Sequence, residues 1–286
     1  MTLKSSLAQS NMTEDEIFLT HILQCRRIDL AVGKPQLNPQ QQEQFDQYKI
    51  RRANGEPLQY ILGTADFMGL ELAVNPSVLV PRPETEQLVD HAVKHLHKTF
   101  PAGSREVIHV LDLGCGSGNI AVALAKFISN AQVVTIDTSD QALEVARANA
   151  KRHGLEKQIQ FIKDDYPVSF AAIPQNPWYA ENKKGLFDLV IANPPYIPTA
   201  LLKDLPKDVQ QEPAAALDGG KDGLKFIRVI IKYSPYLLRN GACLMMEFGD
   251  DQAQAVRQLA LDLGTFSNIE IFKDLAGRDR ILKATL

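Results

Sequence analysis

Four consecutive residues, Asn193-Pro194-Pro195-Tyr196, have the make-up needed to hold a planar amine. The Asn193 side chain carries one acceptor oxygen and an NH2 group. Pro194 and Pro195 cannot donate to a sheet ladder, and a proline pushes the residue before it into an extended conformation. Their carbonyls stay available as acceptors, and Tyr196 adds an aromatic face. Such a group can accept hydrogen bonds from a planar –NH2 and stack on the plane behind it. The run Leu189-Val190-Ile191 just before it reads as a strand covered on both faces. Asn193 then sits at the carboxyl end of a central strand, the edge where open α/β sheets bind ligands. A Pro-rich turn at a strand end is the competing reading of the tetrapeptide alone.

A second stretch offers a place for a co-reactant. Residues 107–113 form an apolar run ending in Asp112-Leu113-Gly114-Cys115-Gly116-Ser117-Gly118-Asn119, and Ile120, Ala121, Leu124 and Phe127 follow at helical spacing. Strand, glycine turn and helix together bind nucleotides, because glycine takes positive φ and lets backbone approach a ligand closely. No Lys-Ser/Thr follows, so this is not a P-loop, and Asn119 stands where a dinucleotide fingerprint has its third glycine. The next strand, residues 132–136, ends in Asp137. A carboxylate about 20 positions beyond the loop is placed to bind both hydroxyls of a ribose. The third strand, residues 159–163, ends at Asp164-Asp165-Tyr166, where Asp165 would take the exocyclic amine of an adenine and Tyr166 would pack on its ring. An acidic turn is the competing reading there.

These residues need a sheet to carry them. Strands are expected at 107–113, 132–136, 159–163, 187–192, 242–248, 269–273 and 280–285, with crossover helices and an antiparallel hairpin at the end. Before the sheet, Thr13-Glu14-Asp15-Glu16 is a capping box, and the helix it opens is expected to stop near Gly33. Asn38-Pro39 opens a second helix and Glu56-Pro57 a third, closed by Gly63. Residues 67–80 read as a hairpin with turns at Gly69 and Asn75-Pro76. The expected organisation is a helical domain over residues 1–64, a hairpin linker over 65–82 and an α/β domain over 83–286. Two long connections, 167–185 and 197–223, emerge near the site and are candidates for substrate recognition.

Composition excludes several classes. The chain has 286 residues, 45% hydrophobic and 23% charged, with a formal net charge of −3. That balance carries no electrostatic footprint for direct nucleic-acid binding. The three cysteines, Cys25, Cys115 and Cys243, form no disulfide framework and point to a reducing compartment. No apolar run is long enough to span a bilayer and no secretory or transit signal is evident, so a cytoplasmic protein is expected. His91 and His95 lie four apart on one helix, but a metal site needs three or four ligands, so they are read as a helix face and no metal is expected. The basic residues Arg26, Arg27, Lys49, Arg51 and Arg52 are read first as a solvated helix surface, with a partner surface as the other possibility.

Taken together, these stretches resemble the PrmC/HemK family of protein-glutamine methyltransferases. The resemblance rests on Gly55-Glu56-Pro57-Leu58-Gln59-Tyr60-Ile61-Leu62-Gly63, Phe67-Met68-Gly69, Leu79-Val80-Pro81-Arg82-Pro83-Glu84-Thr85-Glu86, the glycine loop, Asn193 to Tyr196, Glu212-Pro213, Asp218-Gly219-Gly220 and Asp222-Gly223-Leu224. The Pro-Arg-Pro-Glu-Thr-Glu run is its narrowest signature. The resemblance implies a Class I methyltransferase fold, a Rossmann-like, mostly parallel seven-stranded sheet behind a small helical bundle. It implies S-adenosyl-L-methionine as cofactor, with Gly114, Cys115, Gly116, Ser117, Gly118, Asp137, Asp165, Tyr166 and Asn193 around it. It implies the glutamine of class I peptide chain release factors as substrate, held by Asn193, Pro194, Pro195 and Tyr196, with Asn193, Pro194 and Tyr196 acting on the reaction. Cys115, Asn119, Tyr166 and the length of the 167–185 connection depart from the family's commoner pattern. Rival readings are an amino-methyltransferase on a ribosomal-protein glutamine or on a base of nucleic acid, and a binding protein with a vestigial fold.

Overall fold

The computed structural model describes residues 12–33, 36–101, 106–165 and 185–286. Tyr166 and most of the long connection expected over residues 167–185 lie outside the described residues.

The chain begins with four short helices: α1 (Glu14–Leu23), α2 (Arg27–Gly33), α3 (Pro39–Ala53) and α4 (Leu58–Leu62). Thr13 and Glu16 cap α1 reciprocally, and Asn38 and Gln41 do the same for α3, so orphan N–H groups at both starts are satisfied. The expected single helix up to Gly33 is instead two. Gln24 adopts a left-handed conformation, φ 49°, and ends α1 nine residues early. No glycine or proline marks that break, which is why the sequence pattern misses it. Phe18, Tyr48 and Ile61 form the bundle's core, with Phe18 edge-on to Tyr48 at 5.3 Å. The five basic residues singled out in this region each find an acid within the chain. Arg26 pairs with Asp29, Arg27 with Glu16, Lys49 with Asp15, Arg51 with Glu56, and Arg52 with Glu14 and Asp208. Largely exposed pairs of this kind add little stability, but they leave these charges locally neutralised.

Strands β1 (Thr64–Phe67) and β2 (Leu70–Ala73) form a hairpin that starts three residues before its expected place. The turn is Met68-Gly69, and residues 74–82 run on outside any strand. Val74, Val78 and Val80 pack with Tyr60 and Ala142, and the Tyr60 hydroxyl donates to the Val78 carbonyl.

The remainder is a sheet of seven strands: β3 (Ile108–Leu113), β4 (Ala131–Asp137), β5 (Ile159–Lys163), β6 (Phe187–Ala192), β7 (Leu238–Glu247), β8 (Asn268–Lys273) and β9 (Asp279–Thr285), in the order β5-β4-β3-β6-β7-β9-β8. Strands β3 to β7 are parallel, and β9 inserts antiparallel between β7 and β8. Strand β7 begins at Leu238, earlier than expected, because its pairing with β6 is interrupted by a bulge that contains Asn240-Gly241. Alternate strand residues feed two cores. Val110, Leu189, Ile191 and Met245 pack under α5 (Pro83–Thr99) and α6 (Asn119–Phe127), with Ala150 of α7 (Asp140–Arg152) beside them. Leu111, Val190, Leu244 and Met246 pack under α8 (Lys225–Leu237) and α9 (Ala253–Leu263). Because β4 and β6 lie on opposite sides of β3, the strand order reverses there, and the crevice at that reversal is where such sheets bind ligands.

Candidate active site

A cavity of about 710 Å3 opens at this reversal. Among the described residues its walls include Gly114, Gly116, Ser117, Asp137, Asp165 and Asn193, joined by Arg82 and Thr85 from the entry to α5 and by Pro195. The size is within the range of pockets that bury a cofactor-sized ligand.

The glycine loop forms one wall through its backbone. Gly116 has φ 52°, and a Cβ built there would meet nothing within 4 Å, so the missing side chain is open space beside the cavity. Gly118 is needed for a different reason. A Cβ there would come within 3.0 Å of the Ala146 Cβ, so it sets the approach of α7 to the start of α6. Cys115 turns inward and packs with Leu143 and Ala146, and burial pushes its thiol well up. Asp137, at the end of β4, accepts from the Gly116 N–H and the Ser139 N–H, both at 2.9 Å. Each oxygen keeps a lone pair for a further donor. Ser117 lines the cavity with a buried hydroxyl that has no partner among the described residues. Asp112, beneath the loop, is fully buried, and burial pushes its carboxyl up to about 8 although Thr135 donates to it at 2.8 Å.

The opposite wall is assembled from distant segments. Asn193 follows β6, and its Nδ2 donates to the Thr85 hydroxyl at 2.8 Å. Thr85 is on the first turn of α5 and donates to Glu247 Oε2 at 2.7 Å, while the Tyr196 hydroxyl donates to Oε1 at 3.3 Å. Glu247 ends β7, is fully buried, and is pushed up to about 7 by that burial. Pro195 lines the cavity, whereas Pro194 is buried behind it. Tyr196 packs against the core under α8 and α9, and burial raises its hydroxyl's pKa. Gln252 donates from Nε2 to the Tyr196 carbonyl at 2.9 Å and fixes the backbone just after the tetrapeptide.

The Pro-Arg-Pro-Glu-Thr-Glu run is the keystone of this wall. Arg82 pairs with buried Glu212, which also accepts from the Val80 N–H at 3.0 Å. Glu84 pairs with Arg278 at the sheet's closing hairpin. Glu86 accepts from the Met68 N–H at 2.7 Å and so holds the β1–β2 turn. Four side chains in five positions thus tie down five separate segments. The stretch from 197 to 223 is held by short 3-10 turns, and its Pro213, Ala215, Ala216 and Asp218 reach the cavity.

Thr85, Glu247, Glu212 and Arg82 were not singled out individually by sequence reasoning. Their roles are pairings over more than a hundred residues, which no local pattern reveals. A buried acid at the end of an apolar strand, Met245-Met246-Glu247, was the one available signal for Glu247. His91 instead stacks on Phe272 at 4.3 Å, and among the described residues no group of three His, Cys, Asp or Glu side chains could hold a metal ion.

Comparison with known proteins fits this arrangement. Residues 2–63 match the PrmC N-terminal domain and residues 104–260 match a methyltransferase domain. The chain is 39% identical to the release factor glutamine methyltransferase of Moorella thermoacetica, covering 89% of this chain and 84% of the relative. It is 40% identical to that of Geobacter sulfurreducens, over 94% and 87%. The chain belongs to the release factor glutamine methyltransferase family. The hMettl16 catalytic domain, at 17% identity and a TM-score of 0.57 with 81% of each chain covered, shares the fold. Members of this family take their methyl group from S-adenosylmethionine. The cradle beside Gly116, the free lone pairs of Asp137 and the unpartnered Ser117 hydroxyl all fit such a ligand. Among the described residues no helix is long and apolar enough to cross a membrane.

Proposed function

We propose that this protein methylates the side-chain amide nitrogen of the glutamine in the Gly-Gly-Gln tripeptide of class I peptide chain release factors. Its family membership supports the substrate class. The observation that carries the residue assignment is the Asn193–Thr85 hydrogen bond, which engages the Asn193 NH2 through one N–H and turns Oδ1 the other way, on a residue that lines the cavity. An incoming amide –NH2 needs that polarity.

S-adenosylmethionine, when bound, supplies a methyl carbon activated by its positively charged sulfur. The residues Gly114, Gly116, Ser117, Gly118, Asp137, Asp165 and, outside the described residues, Tyr166 would hold it. The protein's own task is the nitrogen. An amide nitrogen is a poor nucleophile because its lone pair is delocalised. Asn193 Oδ1 and the Pro194 carbonyl accept its two N–H groups, which aims the out-of-plane lobe into the cavity. Pro195 lines the cavity beside them, while Tyr196, its ring packed in the core, acts from behind through its hydrogen bond to Glu247. Fixing two reactants in this way can supply roughly 7–11 kcal/mol. The two acceptors also ease positive charge growing on the nitrogen, and its proton leaves to water. Residues 1–64 act as the release-factor recognition domain, 65–82 as linker and 83–286 as the catalytic domain.

The test is transfer of label from S-adenosylmethionine to release factors carrying Gln or Ala in the tripeptide. Label on the Gln form alone is the expected result. Equal labelling of both forms, or of nucleic acid instead, contradicts the proposal.

A further inference from the structure

An asparagine carboxamide can turn by half a revolution and fill the same space with its oxygen and nitrogen exchanged. In this site the two orientations are chemically opposite. With Oδ1 toward the cavity, Asn193 accepts from a substrate –NH2. With Nδ2 toward the cavity, it presents donors to donors and repels the same group. Something must decide between them, and packing alone does not.

We propose that Thr85 and Glu247 are positioning residues that lock the Asn193 carboxamide with its oxygen toward the substrate. The inference rests on the functional reading above and deepens it. Thr85 has one hydroxyl proton. An ionised Glu247 has none to give, so that proton goes to Oε2, at 2.7 Å. The Thr85 oxygen is left to accept, and it does so from Asn193 Nδ2 at 2.8 Å. Tyr196 donates to the second oxygen of the same carboxylate at 3.3 Å. Every proton on this chain therefore runs toward Glu247, and the polarity of Asn193 follows from the charge at the far end. Neither Thr85 nor Glu247 needs to touch the substrate.

Protonating Glu247 removes that direction. A neutral acid can donate to Thr85, whose own proton is then free to go to Asn193, and the favoured orientation of the carboxamide reverses. Burial pushes Glu247 up to about 7, against the lowering effects of Thr85, Arg280 and Tyr196 and with Glu84 as the opposing negative charge. Among the described residues, these four are the polar and charged groups that act on it, from α5, β9 and the residues after β6. The lock is therefore set on the alkaline side of neutrality and released on the acid side.

The experiment uses the full chain and three variants, Thr85→Val, Thr85→Ser and Glu247→Gln, with kcat measured against pH on a Gly-Gly-Gln release factor and S-adenosylmethionine binding measured by calorimetry. Thr85→Val keeps the shape but neither hydrogen bond, and kcat should fall about 100-fold, the scale of a misplaced reacting group, with the Kd for S-adenosylmethionine unchanged. Thr85→Ser should restore most of the rate, which a role in packing alone would not explain. Wild-type kcat should drop as pH falls through about 7, and Glu247→Gln should lack that acid limb. A Thr85→Val enzyme with near wild-type kcat overturns the lock. Nuclear magnetic resonance supplies a readout that needs no substrate. The Asn193 side-chain NH2 pair, identified by its loss in Asn193→Ala, should be protected from solvent exchange at pH 8 and lose that protection in Thr85→Val. If the wild type labels no release factor, the functional reading falls while the lock is still judged by this signal. An unprotected pair in the wild type overturns the lock whatever the activity.

Discussion

The two walls of the cavity are built by opposite means. The glycine-loop wall is local: Gly116 and Asp137, whose contact shapes it, are 21 residues apart, and most of its polar groups are backbone. The Asn193 wall is long-range: Asn193 and Thr85 are separated by 108 residues, Thr85 and Glu247 by 162, and both of these contacts are between side chains. A wall made of backbone suits a cofactor of fixed shape, since it needs only a turn that leaves room. A wall made of converging side chains can set the direction of individual protons, which is what an amide substrate requires. The difference also predicts how each wall fails when cut.

The largest effect is expected on the long-range wall. Asn193→Ala should lower kcat by roughly 100- to 1,000-fold, as for removal of one charge-stabilising group, while calorimetry still detects S-adenosylmethionine. Gly116→Ala should do the reverse and affect binding first. Its Cβ enters open space beside the cavity, so the chain should fold at a cost of about 1–2 kcal/mol from the left-handed φ of 52°, but the Kd for S-adenosylmethionine should rise about tenfold, or ~1.4 kcal/mol. If both variants damage binding equally, the two walls do not divide their work in this way.

Stability measurements sharpen the contrast. Arg82→Met strands the buried Glu212 carboxylate and should cost about 2–3 kcal/mol in denaturant unfolding, below the ~3–5 of a fully buried pair because Arg82 is about one-third exposed. Gly118→Ala should cost about 1–3 kcal/mol through its contact with Ala146 and its left-handed φ of 78°. A further contrast concerns pH. Asp112 has its folded pKa raised from 3.8 to about 8, so the folded state holds its proton more tightly than the unfolded one. Its contribution is fully present below pH 3.8 and is lost as pH rises through about 8. Asp112→Asn should therefore flatten the fall in melting temperature over that window, and parallel curves for variant and wild type would contradict the burial argument.

The same contrast explains what the sequence made legible. Six of the seven strands, the capping box at Thr13, the helix start at Asn38-Pro39 and the loop from Gly114 to Gly118 are local patterns found close to where they are expected, while β7 starts four residues early. The break at Gln24 has no sequence signal because an ordinary side chain takes the left-handed turn. The turn at Gly69 is legible, but the hairpin starts three residues ahead of its expected place because the four-residue β1, Thr64–Phe67, is too short to show an alternation of its own. Of the residues the sequence brought to the site, Asn193, Pro195, Asp137 and Asp165 line the cavity, while Cys115 and Tyr196 turn their side chains to the interior. Thr85 and Glu247 could be seen only once α5 and β7 had been brought together.

The claim on which the rest depends is that a substrate amide nitrogen is held by Asn193 at the cavity edge. A crystal structure of the protein with a Gly-Gly-Gln peptide and a non-reactive analogue of S-adenosylmethionine measures it directly. The expected result is the glutamine amide nitrogen within about 3 Å of both Asn193 Oδ1 and the Pro194 carbonyl oxygen, with the Asn193 Nδ2 still on Thr85. A glutamine seated elsewhere, or an Asn193 whose nitrogen faces the peptide, would contradict the account.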